Sequence, residues 1–331
     1  MLATSAHCPF AALEVLFVLR LTRYLGHEAI VTPHPGTCEG STSPISGDSW
    51  SVGGDGRHLS GGGESAAGEA RELTHYARPM TRILEGTVAL VTGASSGIGA
   101  ATARQLAANG AAVALAARRK DRLEALATEM GEAGGRAVVI QCDVTQQGQA
   151  TEAVERAVSE LGRLDTLVNN AGVMLLGPAV GAPLSEWQRM VELNVLGLLY
   201  CAHAAIPHLL RAAEEGPRQI ADMVNISSVA GRVARNGSGV YNLTKHGVGA
   251  FSESLRQELA TRHVRVSLVE PGATATELAS HNRPEVLESL KGQFGRRMEA
   301  EDIADAIGYI VTRPRHVAVN EILIRPTEQE R

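Results

Sequence analysis

At 331 residues, with 44% hydrophobic and 20% charged side chains, the chain has the composition of an ordinary globular protein able to bury a sizeable core. A net charge of −5 and 3% aromatics offer no basic surface and few stacking platforms, which argues against a nucleic-acid partner. Cys8, Cys38, Cys142 and Cys201 lack CxxC or metal-type spacing, and no run approaches the roughly eighteen apolar residues of a membrane span, so neither a metal centre nor a membrane partner is expected.

Residues 1–80 read differently from the rest. The stretch 41–65 is rich in Gly, Ser and Asp and has neither helical nor strand periodicity. Residues 9–21 are apolar, but Glu14 and Arg20 interrupt them and no basic stretch precedes them, which argues against a signal peptide. The expectation is a disordered extension carrying one short amphipathic helix; the alternative is that translation begins at Met80. Cys142 and Cys201 fall in apolar segments and read as reduced core thiols of a cytoplasmic protein.

From residue 84 onward, strand-type runs alternate with helical segments. The strands are expected at 87–92, 112–117, 137–142, 166–169, 222–227, 265–269 and 321–324. Their apolar, β-branched character and the helices between them indicate a buried parallel sheet of about seven strands. The expected fold is therefore α/β, a single doubly wound, Rossmann-type domain over 81–331. Ligands of such folds bind at the C-terminal strand ends.

The first strand runs into TGASSGIG, with Gly93, Gly97 and Gly99, and then into a helix ending near Gly110. Strand, glycine turn and helix suit a dinucleotide: glycines let the backbone approach a pyrophosphate, and a helix N-terminus offers it free N–H groups. The spacing G-x-x-x-G-x-G departs from the standard G-x-G-x-x-G, and an ordinary glycine-rich turn is the alternative.

Further on, NISSVAG contains Ser228 and YNLTK contains Tyr241 and Lys245. Residues four apart share a helix face, so phenol and ammonium can meet one ligand. An unperturbed tyrosine titrates near about pH 10, and a neighbouring ammonium lowers that value by stabilising the phenolate. Ser227 competes with Ser228 but is expected on the strand's other face. His246 adjoins Lys245 and cannot share its face, which removes a Ser-His triad.

TGASSGIG, NNAG at 169–172, Asn194, Ser228, Tyr241 with Lys245, and Pro271–Gly272 occur in the order seen in short-chain dehydrogenases/reductases. The chain resembles that family from about residue 84 to its C-terminus. NNAGVMLLGP and NEILIRPTEQ are most similar to its clavulanic acid dehydrogenase-like branch. The resemblance implies a nicotinamide cofactor along Gly93, Ser95, Gly97, Ile98 and Gly99. It puts Asp143 on the adenine amine beside Val144, with Asn170, Ala171 and Gly172 against the adenosine ribose. Pro271, Gly272, Thr274 and Thr276 fall at the nicotinamide or phosphate end. Asp143 or Thr145 can alternatively cap the following helix.

By family spacing, Ala117 holds the place where NAD-specific enzymes carry an acid, and Arg118, Arg119 and Lys120 follow. A guanidinium can clasp a 2′-phosphate, so NADP(H) is the expected cofactor, through Arg118 and Arg119. The implied chemistry is hydride transfer between an aldehyde or ketone and its alcohol. Ser228 would hold the carbonyl, Tyr241 exchange the proton, Lys245 tune Tyr241 and hold the ribose, and Asn194 link Lys245 to solvent. Alternatives are an epimerase or dehydratase on the same scaffold, or a catalytically silent nicotinamide-binding protein.

The substrate pocket is expected from 173–178, 229–239 and 277–298. Met174, Leu175 and Leu176 would supply an apolar wall or belong to the core, and Arg232 and Arg235 would attract an acidic substrate or be solvated. A small-molecule carbonyl or alcohol is the expected partner. The helices at 187–210 and 238–261 resemble the family's subunit interface, implying a homodimer or homotetramer.

Overall fold

Each of the seven apolar runs becomes a strand, and most are buried on both faces, as a sheet covered by helices requires. A computed structural model of the chain describes residues 82–290 and 296–330. The extension expected over 1–80, with the alternative start at Met80, lies outside the described residues.

In chain order the elements are β1 (Val88–Thr92), α1 (Gly97–Ala108), β2 (Ala112–Ala117), α2 (Lys120–Glu132), β3 (Arg136–Gln141), α3 (Gln147–Leu161) and β4 (Thr166–Asn169). Helices α4 (Leu184–Val191) and α5 (Leu198–Glu215) follow, joined by a π-helical segment, Glu192–Gly197. Then come β5 (Ala221–Ile226), α6 (Gly239–Leu259), β6 (Val264–Pro271), α7 (Pro284–Leu290), α8 (Ala300–Val311) and β7 (Glu321–Ile324). The strands are parallel throughout, in the order β3-β2-β1-β4-β5-β6-β7. This is a Rossmann-type α/β domain with a seven-stranded parallel sheet. The order reverses between β1 and β4, and a ligand crevice is expected at the C-terminal ends of those strands.

Successive strand residues serve opposite layers. Val88 and Leu90 of β1 join Ala153 and Val154 of α3 and Ala202, Ala205 and Leu209 of α5. Ala89 and Val91 join Leu106 of α1, Leu123 of α2 and Ile303 and Ile307 of α8. Cys142 and Cys201 are free, buried thiols in the first of these layers, and burial pushes them up to about 11 and about 12 respectively.

One sequence expectation needs correcting. The continuous helical stretch 184–215 is long and apolar enough, by length and composition alone, to cross a membrane. In the fold its Cys201, Ala202, Ala205, Leu209 and Ala212 are core residues against the sheet, which accounts for the apolarity.

Candidate active site

At the switch point the chain leaves β1 through Gly93 (φ +66°) and enters α1 at Gly97 (φ +53°), a backbone region that favours glycine. A Cβ on Gly99 would stand 2.4 Å from the Gly93 carbonyl oxygen, so the turn closes only around glycine there. NNAG holds it from β4. Asn170 Nδ2 donates to the carbonyls of Thr92 (2.9 Å) and Gly93 (3.3 Å). Thr92 Oγ1 accepts from the amides of Asn170 (3.0 Å) and Ala171 (3.1 Å). The result is a narrow glycine cradle against a helix N-terminus, which fits a pyrophosphate. The residues present thus fit a nicotinamide dinucleotide.

The predicted site residues, all except Gly99 and Asn194, line one cleft of about 750 Å³. Thr276 caps the turn Glu277–His281, its Oγ1 accepting from Leu278 N at 3.4 Å, and Thr274 Oγ1 donates to Gly272 O at 3.1 Å. Asp143 caps no helix: its Oδ1 accepts from Thr145 N (3.0 Å) and Oγ1 (2.9 Å), and α3 begins after Gln146. Ile98 links the cleft to the core, packing against two of its clusters.

Of the two arginines after β2, Arg118 is exposed at the cleft and Arg119 half-buried. Arg119 Nε and Nη2 donate to Ser95 Oγ (3.1 and 3.0 Å), Nη2 also to Ser96 Oγ (2.7 Å), and Nη1 to Glu277 Oε2 (2.7 Å). Glu277 was expected only as part of the pocket segment 277–298; its contact with Arg119 was not, because no local pattern marks a contact spanning 158 positions.

At the other end of the cleft, α6 presents Tyr241 and Lys245, both buried, with Nζ 5.9 Å from the ring centroid. Ser228 stands just beyond β5, where its Oγ accepts from Ala230 N (3.1 Å) and donates to Pro271 O (3.4 Å), and it lines the cleft with Tyr241. Lys245 Nζ donates to Ile226 O at 2.8 Å. Burial pushes Tyr241 up to about 12, against the weaker opposing effect of Ser228, and pushes Lys245 down to about 8. The lowering of Tyr241 by Lys245 expected from the sequence does not set the direction here: burial of the phenol dominates, and the Lys245 ammonium donates to the Ile226 carbonyl.

Ser227 donates to the Lys245 carbonyl at 3.0 Å and so faces the body of α6 rather than the reacting groups. His246 is exposed and bonds Asn242 O at 2.9 Å, as the absence of a triad requires. Asn194 sits in the π-helical segment, a distortion found disproportionately at functional sites. Its Oδ1 accepts from Val173 N (2.8 Å), and its Nδ2 donates to Val173 O (2.9 Å) and Thr244 Oγ1 (3.2 Å). A Cβ on Gly172 would meet Asn194 Oδ1 at 3.3 Å and Lys245 Nζ at 3.8 Å, so the three converge without a direct bond between side chains.

The expected apolar wall divides. Met174 and Leu176 face the cleft, whereas Leu175 is buried. Asn282, within the expected pocket segment 277–298, pins this wall to the loop opposite: its Oδ1 accepts from Leu176 N (2.6 Å) and its Nδ2 donates to Met174 O (2.9 Å). Arg235 lines the cleft; Arg232 is engaged by Glu270 and Glu321 and is not offered to a substrate.

The family model described as short chain dehydrogenase matches residues 87–286. The chain belongs to the short-chain dehydrogenase family. This short-chain dehydrogenase is 36% identical over 245 residues to an oxidoreductase of Staphylococcus saprophyticus, covering 73% of this chain and 96% of that protein. It is 41% identical over 248 residues to a glycine betaine reductase of Emericella nidulans, covering 74% of this chain but only 19% of that protein's length. Among solved structures it is similar to a metagenomic short-chain oxidoreductase in complex with NADP, at 33% identity and a TM-score of 0.62, over 74% of this chain and 99% of that one. It is thus an oxidoreductase of a family that binds nicotinamide cofactors.

Proposed function

We propose that this short-chain dehydrogenase uses NADP(H) to interconvert an aldehyde or ketone and its alcohol, as a cytoplasmic homodimer or homotetramer. The observation that carries this reading is that Ser228, Tyr241 and Lys245 line the same cleft as the glycine cradle. The nicotinamide, when bound, supplies or accepts the hydride. Ser228 and the Tyr241 phenol together define where a carbonyl oxygen would sit. Tyr241 carries its proton at neutral pH and would give it to that oxygen as the alcohol forms. Lys245 would hold the nicotinamide ribose and return a proton to Tyr241. Asn194 positions α6 against the Val173 segment of the pocket wall.

Preference for NADP(H) is supported by Ala117 in place of an acid and by Arg118 and Arg119 at the adjoining edge of the cleft. The likeness of NNAGVMLLGP to the clavulanic acid dehydrogenase-like branch suits a small polar carbonyl compound. The test is initial rates of NADPH and NADH consumption over a panel of aldehydes and ketones. NADPH should be favoured at least about tenfold in kcat/KM, the equivalent of ~1.4 kcal/mol; a preference for NADH would contradict the cofactor assignment.

A further inference from the structure

Arg119 and Arg122 lie three positions apart at the start of α2, and both converge on one carboxylate. Glu277 Oε2 accepts from Arg119 Nη1 and Oε1 from Arg122 Nη1, each at 2.7 Å. The same Arg119 guanidinium gathers the Ser95 and Ser96 hydroxyls of the glycine turn. Two guanidinium groups and two hydroxyls are the donor set that a phosphate ester takes. Glu277, on the turn that follows Thr276, instead supplies the acceptor that takes up both guanidiniums.

We infer that Glu277 sets the ratio of NADPH to NADH binding, by occupying the guanidiniums that a 2′-phosphate would otherwise engage. This rests on the NADP(H) reading above. The two guanidiniums hold the Glu277 carboxyl down to about 2, so it is ionised at every working pH. A 2′-phosphate arriving at Arg119 meets a like charge and must share or displace it. The 2′-hydroxyl of NADH carries no charge and needs none of these donors. The side chains of Arg119, Arg122 and Glu277 are 40%, 44% and 45% exposed, so their pairing is weak and gives way to a dianion. Glu277 therefore tempers NADPH affinity rather than abolishing it.

The test is titration of the full-length protein with NADPH and with NADH, followed by nicotinamide fluorescence, in wild type, Glu277→Gln and Glu277→Ala. Thermal melts establish that each variant is folded, and the second variant serves if the first is not. Both variants should bind NADPH roughly three- to tenfold more tightly, with NADH affinity unchanged, and the gain should shrink as salt is raised. An NADPH/NADH ratio that stays at the wild-type value would overturn the inference, whether both affinities move together or neither moves. Equal movement would make Glu277 a strap across the cleft with no part in selectivity. If wild type favours NADH, the cofactor reading fails; if wild type favours NADPH and the ratio does not move, only the role of Glu277 fails.

Discussion

Arg232 lays its Nε against both carboxylate oxygens of Glu270, at 2.8 and 2.7 Å, and also pairs with Glu321 at the start of β7. Arg232 lies four residues beyond Ser228, and Glu270 immediately precedes Pro271 and Gly272. The pair thus ties the serine turn to the cofactor end of β6. Glu270 is 1% exposed, so removing its partner leaves a buried charge unneutralised. Arg232→Met should cost about 2 kcal/mol, below the ~3–5 of a fully buried pair because Arg232 is 42% exposed. Arg232→Met/Glu270→Met should recover most of that loss in a denaturant titration, since neither charge is then stranded.

The two adjacent serines should separate cleanly by kinetics. Ser228→Ala removes the hydroxyl that would hold the carbonyl oxygen and should lower kcat/KM by about 10²-fold, the size of one positioned hydrogen bond to a developing charge. Ser227→Ala removes only a cap on the Lys245 carbonyl and should leave kcat/KM within a few-fold, its effect falling on thermal stability.

Gly99→Ala tests the cradle. The added methyl meets the Gly93 carbonyl at 2.4 Å and Asn170 Nδ2 at 2.5 Å, so the turn must open. Cofactor affinity should fall by more than tenfold for NADPH and NADH alike, because the cradle holds the pyrophosphate they share. Calorimetric titration with both cofactors reads this directly.

The pH dependence of stability carries the signature of the buried Lys245. Its folded value of about 8 lies below the ordinary 10.5, so the unfolded chain binds more protons between those limits and stability from this group rises with pH across that window. The cost of burying the ammonium is fully present below about pH 8. Lys245→Met should therefore be more stable than wild type at pH 7, by about 2 kcal/mol once the lost bond to Ile226 is counted, while losing activity. That advantage should shrink as pH rises from 8 to 10.5. Tyr241 has the opposite sign: its folded value of about 12 lies above the ordinary 10, so its contribution is full below pH 10 and lost as pH rises through 12.

The sheet was legible from apolar runs alone, and each strand lies within two residues of its expected bounds, because burial on both faces leaves a run of Val, Ile, Leu and Ala no better use. The pairing of Tyr241 with Lys245 was legible from helical spacing, and the choice of Ser228 over Ser227 from the family resemblance. The contacts of Glu277 with Arg119, of Asn282 with Leu176 and of Arg232 with Glu270 were not. Each joins segments 38 to 158 positions apart, through side chains whose types are ordinary on any surface. The upward shift of Tyr241 was missed for a related reason: spacing shows that an ammonium is near, but not that both groups are buried.

The most direct test is single-turnover carbonyl reduction with NADPH by wild type and Tyr241→Phe, with NADPH affinity measured alongside. Tyr241→Phe keeps the ring in its pocket and removes only the phenolic hydroxyl. Turnover should fall by about 10²- to 10⁴-fold, the range of a positioned general acid, with NADPH affinity unchanged. Turnover at the wild-type rate in the variant would show that Tyr241 is not the proton donor.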